Sequence, residues 1–380
     1  MVSVKRVETK KEARAFVNFP LKLYEGNPYY APLFYADELK LLSEKTNIYG
    51  DYTESAFFLA RDEKGKVVGR IGAIVNYADI EKTGVKSVRF TRLDAIDDFS
   101  VFAALFEAVE TYAKEKGIYL IQGPLGYNDL DKEGLLIQGF DLPENYGGVY
   151  NYSYYQTHIE ALGYEKAFDW LERRLKVPAE VDERYQRTAE LVAKKYGFHE
   201  LVEDKMKTKT LLDRFADGIF RLVDEAYEKL HGTVPLTENA KKSLLDGLKF
   251  IIKARYLSCV ADRDGNMIAF GLMLPSIGGA LNRSKGKLFP TGIFHFLPLL
   301  FKKTTELEMA LIAVKPEFQN SGVNAMVVTR LWKNVIEDGI FELESNANLE
   351  DNFEINNFMN KFEGGDVIHK RRRCYKRELV

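Results

Sequence analysis

The sequence predicts an α/β protein built as two similar halves, each a mixed central sheet flanked by helices. The first observation is a repeated hairpin. Residues 57–75 read FFLARDEKGKVVGRIGAIV and residues 256–274 read YLSCVADRDGNMIAFGLML, two apolar runs broken by an acidic, basic and glycine turn at Gly65 and Gly265. The second is a repeated helix end. KEKGIYLI around Gly117 and IEDGIFEL around Gly339 each close a helical pattern on a glycine and open a strand. The third is a repeated spacing: Asn151 precedes Gly163, and Asn352 precedes Gly364, by twelve residues across an amphipathic stretch. The shared order is hairpin, strand, helix, strand, helix, final strand, which points to internal duplication rather than chance likeness of generic α/β segments.

The pattern breaks near Val177-Pro178, giving halves of 1–180 and 181–380. They are padded differently: the first carries GPLGYNDLDKEGLLIQGF (Gly123–Phe140), and the second carries its extra residues between Pro275 and Lys303. The 380 residues, 46% hydrophobic, suffice for two domains with sizeable cores. Charge is balanced, 54 basic against 56 acidic residues, which argues against a general nucleic-acid binder. The two cysteines, Cys259 and Cys374, fit a reducing compartment and no disulfide framework. The first fifteen residues lack an apolar signal core, and the most apolar stretch, Ile293–Phe301, is too short to span a bilayer. A cytoplasmic protein without a membrane partner is the expectation. The 21 tyrosines and 25 phenylalanines suit cores and apolar ligand clefts alike.

One junction stands apart. Thr305–Val314 alternates Glu306 and Glu308 with Leu307 and Met309 before an apolar end, which predicts a strand. From Gly322 onward Val323, Met326, Val327, Leu331 and Val335 follow helical spacing. The polar loop Gln319-Asn320-Ser321-Gly322 lies between them, with Ser321 as the predicted N-cap. Such a loop offers unpaired amides at the positive end of a helix, and glycine lets an anion approach the backbone. A phosphate or carboxylate site and an ordinary loop are the two readings.

The run V-x-P-E-F-Q-x-x-G-V-x-A, Val314–Ala325, resembles the acyl-CoA signature Q/R-x-x-G-x-G/A of the GNAT superfamily of N-acyltransferases. Gln319 and Gly322 match; Asn324 stands where glycine or alanine is usual, with Ala325 beside it. The resemblance implies acetyl-CoA or another acyl-CoA as co-substrate. It places the pyrophosphate at Gln319, Asn320, Ser321, Gly322, Val323, Asn324 and Ala325, and the pantetheine beside the backbone of Leu311, Ile312, Ala313 and Val314. ESNANLEDN, Glu344–Asn352, with a helix and Gly364-Gly365 after it, resembles the family's last conserved strand-helix unit and adds Asn352 to the cofactor-binding set. The whole order resembles a bacterial group of tandem GNAT-like proteins and spans nearly the full chain. The first half lacks the loop. Its junction, RFTRLDAIDDFSVFAAL (Arg89–Leu105), puts Asp94, Asp97 and Asp98 where phosphates would bind, and those carboxylates would repel them. The first half is therefore expected to be a structural partner or one wall of the acceptor site.

The implied reaction is acyl transfer, in its simplest form acetyl transfer, to a primary amine on a small molecule or peptide. The amine must lose a proton and the departing thiolate must gain one. Glu308, eleven residues before Gln319, matches the position of the family's base glutamate. A solvent-facing strand residue is the plain alternative, and Glu344 and Asn346 are further candidates. The family's thiolate acid is a tyrosine seven residues after the motif asparagine; here that position is Met359, and Tyr375 on the terminal strand is the substitute. Without an acid, a non-catalytic CoA- or ligand-binding protein on the same fold is the alternative. Aminoacyl transfer from tRNA would need a long basic groove.

No metal is expected, because His158, His199, His231, His295 and His369 show no ligand spacing. Asp262-Arg263-Asp264-Gly265 reads as a hairpin turn rather than a calcium loop. HKRRRCYKR, from His369, reads as an exposed edge strand guarded by charge or as a neighbour of the CoA 3′-phosphate. Gly286–Phe301 reads either as a cover over an acyl or acceptor pocket or as packing between halves.

Overall fold

A computed structural model describes residues 2–228, 232–301 and 306–380, so His231 and Thr305 lie outside the described residues. The first half supplies β1 (Ser3–Arg6), β2 (Thr53–Arg61), β3 (Val67–Asn76), β4 (Val88–Ala95), β5 (Leu120–Gly123), β6 (Leu135–Gln138) and β7 (Glu165–Lys176). The second supplies β8 (His199–Glu200), β9 (Leu257–Ala261), β10 (Met267–Pro275), β11 (Leu307–Val314), β12 (Glu342–Ser345), β13 (Asn348–Leu349) and β14 (Ile368–Glu378). They form one continuous sheet in the order β1-β2-β3-β4-β5-β14-β7-β12-β11-β10-β9-β8.

That order is an exchange. The last strand of the second half, β14, lies between β5 and β7, while the last strand of the first half, β7, reaches across to β12. Tyr375 pairs with Gly123, Lys370 with Glu172, and Arg174 with Glu344. Each half's sheet is thus completed by the other's final strand, and a cut near residue 180 would leave both final strands on the wrong piece.

The helices are α1 (Lys10–Leu23), α2 (Tyr35–Leu41), α3 (Tyr77–Thr83), α4 (Phe99–Glu115), α5 (Tyr154–Ala161), α6 (Glu183–Tyr196), α7 (Thr208–Tyr227), α8 (Glu238–Leu248), α9 (Gly278–Ser284), α10 (Leu297–Phe301), α11 (Asn324–Glu337) and α12 (Phe353–Met359). α4 and α11 occupy matching places after the fourth strand of each half. Each buries an apolar stripe on its own sheet: Val101, Phe102, Leu105, Phe106 and Val109 in one, Val327, Val328, Leu331 and Val335 in the other.

The duplication is visible at the level of single hydrogen bonds. In the β2–β3 turn Asp62 Oδ1 accepts from the amides of Lys64 and Lys66; in the β9–β10 turn Asp262 Oδ1 accepts from those of Asp264 and Asn266. Gly65 and Gly265 take left-handed φ of 77° and 84° at the same place. The Asp262 carboxylate is therefore used by its own turn. After α4 and α11, Gly117 and Gly339 share φ near 65° (67° and 63°), and the next residue's amide closes onto Ala113 and Val335 carbonyls respectively.

The basic run was misread as an edge. β14 is central, and Lys370 and Arg372 are fully buried. Alternate residues point to opposite faces of a strand. Lys370 and Arg372 meet Glu144, Glu172 and Glu344, while Arg371 and Arg373 meet Asp169. Paired carboxylates, not water, neutralise the run.

Candidate active site

β11 and β12 run parallel through only three register pairs, Leu307 with Leu343, Glu308 with Glu344, and Met309 with Ser345. Beyond them the strands part. β11 bulges at Ala310 against β10 and continues to Val314 with no strand among the described residues on its other side. Two carbonyls on that open edge have side-chain partners: Ala310 accepts from the Asn346 amide at 2.5 Å and Ile312 from the Tyr227 hydroxyl at 2.9 Å. Leu311, Ile312, Ala313 and Val314 thus border the gap in which the GNAT resemblance places the pantetheine.

The loop after β11 ends at the start of α11. Its amides divide into two sets. Those of Gln319, Ser321, Val323 and Ala325 bond within the loop, to Pro316, Phe318, the Ser321 hydroxyl and Gly322. The alternate amides, of Asn320, Gly322 and Asn324, make no hydrogen bond among the described residues. The chain reaches this shape through left-handed φ at Asn320 (67°) and Gly322 (86°). Ser321 is not the N-cap: the helix begins at Asn324 with Val323 before it, and the Ser321 hydroxyl holds the Val323 amide instead. A side chain at Gly322 would meet Val192 of α6 at 3.1 Å, so the glycine also answers to helix packing. Three free amides at a helix N-terminus fit a diphosphate. The matching junction of the first half is too short for such a loop, with β4 ending at Ala95 and α4 starting at Phe99. There Asp94 pairs with Arg70 at 2.8 Å, Asp98 caps α4 through the Ser100 amide, and Asp97 meets His158 at 2.8 Å.

Glu308 sits at the closed end of the gap and is only 4% exposed. Its Oε2 accepts the Tyr146 amide at 2.9 Å, and its Oε1 is buried with no donor in bonding geometry. Burial pushes its carboxyl up to about 7, the neighbouring Glu344 carboxylate adds to that push, and Ser276, the Tyr146 amide and Lys132 act against it. Glu344, its register partner, is the opposite case. Burial alone would raise it, but His369 and Lys370, at 3.2 Å and 2.8 Å, hold it at about 2. Glu308 thus changes protonation state near neutral pH, whereas Glu344 stays an anion there.

Tyr146 comes from the first half. The segment 143–150 crosses to lie against β11, and a buried ion cluster pins it. Arg372 donates to Glu144, to Glu172 at 2.5 Å and to the Val149 carbonyl; Lys370 donates to the Pro143 carbonyl at 2.6 Å; Asn145 donates to Glu172 at 3.1 Å. Lys132 donates to the Gly148 carbonyl at 2.8 Å, and burial lowers its ammonium to about 8. Lys132 and Val149 also line a cavity with Leu21, Tyr30, Tyr35 and Lys285.

Tyr375 does not reach this site. It is buried in the first half's core and donates to Glu160 at 3.0 Å. It lies five residues along β14 from Lys370, roughly 16 Å at strand rise. Asn352 caps α12 through the Ile355 amide at 3.3 Å. Among the described residues one trio, Glu172, Glu344 and His369, brings metal-type ligand atoms within 4.8 Å of one another. The Lys370 ammonium, 2.8 Å from Glu344 and 3.9 Å from Glu172, already supplies a cation there. No described helix is long and apolar enough to cross a membrane.

Sequence reasoning missed Tyr146, Lys132, Lys370 and Arg372. The Glu144-Asn145-Tyr146-Gly147-Gly148 run was the available signal: two glycines beside a polar triplet suit a close backbone approach, and Gly147 and Gly148 indeed abut Asn346 and the Glu144–Arg372 pair.

No family model matches the chain. It is 28% identical over 379 residues to Protein YghO of Escherichia coli, covering 97% of this chain and 94% of that protein. It is 28% identical over 322 residues to a bacterial ceramide synthase of Caulobacter vibrioides, covering 84% and 82%. Among solved structures it resembles a tandem GNAT protein from the clavulanic acid biosynthesis pathway, at TM-score 0.53 and 12% identity, across 100% of this chain and 98% of that one. The chain has the tandem GNAT fold.

Proposed function

We propose that this tandem GNAT-fold protein is an acyl-CoA-dependent N-acyltransferase whose second half binds the thioester and whose first half forms a wall of the acceptor site. The observation that carries the reading is the conjunction at β11: an open strand edge, three free amides beyond it, and a buried Glu308 poised near neutrality at its closed end. Acyl-CoA supplies the activated carbonyl. Asn320, Gly322 and Asn324 hold its diphosphate through their amides. Glu308 receives the proton lost by the attacking amine; the N–C bond forms, the C–S bond breaks, and CoA leaves as the thiolate, which takes its proton from solvent.

The substrate class is drawn from the relative that carries a named activity. A ceramide is an N-acylated long-chain amino alcohol, so likeness to a ceramide synthase over most of the chain favours a long acyl group and a long-chain amino alcohol over acetyl transfer to a small amine. The cavity beside Lys132 brings apolar Val17 and Leu21 together with Tyr30, Tyr35, Glu38 and Asp94, apolar and carboxylate groups that suit an amino alcohol, and it would have to widen to admit one.

Two observations favour the non-catalytic alternative. Glu308 is covered by the 143–150 segment, and the Tyr227 hydroxyl occupies a carbonyl that a pantetheine would use. The test separates the two readings. The purified full chain is incubated with palmitoyl-CoA or acetyl-CoA and a long-chain amino alcohol, and thiol release and amide mass are measured together. Amide from palmitoyl-CoA supports the proposal. Thermal stabilisation by acyl-CoA with no amide from any donor overturns catalysis and leaves a binding protein.

A further inference from the structure

We propose that the excursion between β10 and β11 is a docking surface for a bilayer rich in anionic lipid. The first half joins its corresponding strands, β3 and β4, through 77–87 alone; here the connection runs from 276 to 306. Its inner face belongs to the fold, since Ile277, Ala280, Leu281 and Phe296 are buried in the second half's core. Its outer face does not. Phe289 is 77% exposed and Phe294 is 64% exposed, two large aromatic side chains turned to solvent on one short excursion. Paired exposed aromatics of this size mark a surface that another phase covers.

The charge identifies that phase. From Ser276 to Thr305 the sequence contains no aspartate or glutamate, in a chain with 56 acidic residues among 380. The same stretch carries Arg283, Lys285 and Lys287, all exposed, of which Lys285 pairs with Glu25 at 3.0 Å. Exposed aromatics among basic side chains, on a stretch that has no acid of its own, is the composition that enters the headgroup region of an anionic membrane. A protein partner of ordinary surface chemistry would not require the exclusion of acids.

The surface adjoins the cavity. Lys285 lines it, the Tyr35 amide donates to the Gly286 carbonyl at 2.9 Å, and the Lys287 ammonium lies 4.6 Å from the centre of the Tyr35 ring. An amphiphile leaving the bilayer would meet the cavity rim first. This last step rests on the proposed function; the docking itself does not.

The test is co-sedimentation of the full chain with vesicles of phosphatidylcholine alone or of equimolar phosphatidylcholine and phosphatidylglycerol. The expected result is binding to the anionic vesicles, weakened by salt, and at least about tenfold weaker in Phe289→Ser/Phe294→Ser, because two aromatic side chains no longer enter the interface. Lys287→Glu should weaken binding to the anionic vesicles selectively. Wild-type protein left in the supernatant, or a double variant that binds equally well, overturns the proposal. So does a wild-type dimer in lipid-free solution that the double variant converts to monomer, since the patch would then hold a second copy. Thermal stabilisation by acyl-CoA is read in parallel. Loss of vesicle binding with that response intact defeats only this inference, and the converse defeats only the acyltransferase reading.

Discussion

Replacing Glu308 with glutamine should stabilise the protein at neutral pH while lowering the proposed acyl transfer. The carboxyl is raised from an ordinary 4.5 to about 7 by burial. Below about pH 4.5 both the folded and unfolded chains hold this proton. Between 4.5 and 7 only the folded chain holds it, so the folded state binds more protons and stability falls as pH rises. The loss is complete above pH 7 and amounts to about 3 kcal/mol at 1.36 kcal/mol per pKa unit. Glutamine does not titrate, keeps the shape, and still accepts the Tyr146 amide through its carbonyl. With an unfolding entropy of roughly 2.1 cal/mol/K per residue, the full difference corresponds to about 4 °C in Tm. The assay is thermal unfolding of wild type and variant from pH 5 to pH 8. The variant's advantage should grow across that range toward about 4 °C, while acyl transfer at neutral pH falls by about 10²–10⁴-fold. A constant Tm difference at all pH values would mean that no buried carboxylate forms here, and the argument for Glu308 as a base would fail with it.

Asn324→Asp should abolish the rise in Tm that acyl-CoA produces, without lowering the Tm of the free protein, because an acidic side chain suits the first turn of α11 but repels a diphosphate; an undiminished response would remove the loop from the site. Arg372→Met should cost about 3–5 kcal/mol, since Glu144 and Glu172 would stay buried with only the Lys370 ammonium, 3.8 Å and 3.9 Å away, to offset their two charges, and calorimetry should show a Tm roughly 4–6 °C lower. Adding Glu144→Gln and Glu172→Gln to that variant should recover most of the loss, and no recovery would show that packing rather than charge was removed. Deleting 367–380 should abolish cooperative unfolding by circular dichroism, because β5 and β7 would each lose their common neighbour; a truncated chain with wild-type Tm would refute the strand exchange.

What was legible in the sequence was local. The two hairpins could be read because Asp62 and Asp262 bond amides two and four residues away, so the signal lies inside the motif. The helix ends could be read because Gly117 and Gly339 take a left-handed conformation that other residues avoid. The loop at Gln319 was legible as a strand-to-helix junction, and its three free amides follow from the backbone that Asn320 and Gly322 permit. The misreading of His369–Arg377 has an equally physical cause. A run of five basic residues reads as solvated unless the opposing carboxylates are known, and the Arg372 partners Glu172 and Glu144 lie 200 and 228 residues away. Alternation was the overlooked clue: Lys370 and Arg372 fall on one face of the strand and Arg371 and Arg373 on the other, each with its own acidic side chains. Tyr375 was misplaced for the same reason. On the exchanged strand it enters the first half's core.

The exchange also explains how a segment of the first half reaches Glu308 of the second. The segment 143–150 carries two adjacent glycines and lies far from β11 in sequence, so nothing local would hold it against Glu308. β14 supplies that restraint. It arrives from the second half, crosses beside β7, and presents Lys370 and Arg372 to Pro143, Glu144 and Val149. His369 and Lys370 on this strand hold Glu344 as an anion, and that anion adds to the burial that raises the Glu308 carboxyl beside it. One strand thus couples the position of the Tyr146 amide to the proton affinity of Glu308. A cluster of this kind adds little net stability over an apolar core, because desolvation offsets most of its attraction. Its contribution is register: the ion pairs are satisfied only when the segment sits at one place along the strand. Weakening the cluster without unfolding it, as in Lys370→Arg, should therefore change the pH dependence of acyl transfer more than the Tm, and a variant with an unmoved pH profile would separate the cluster from the chemistry.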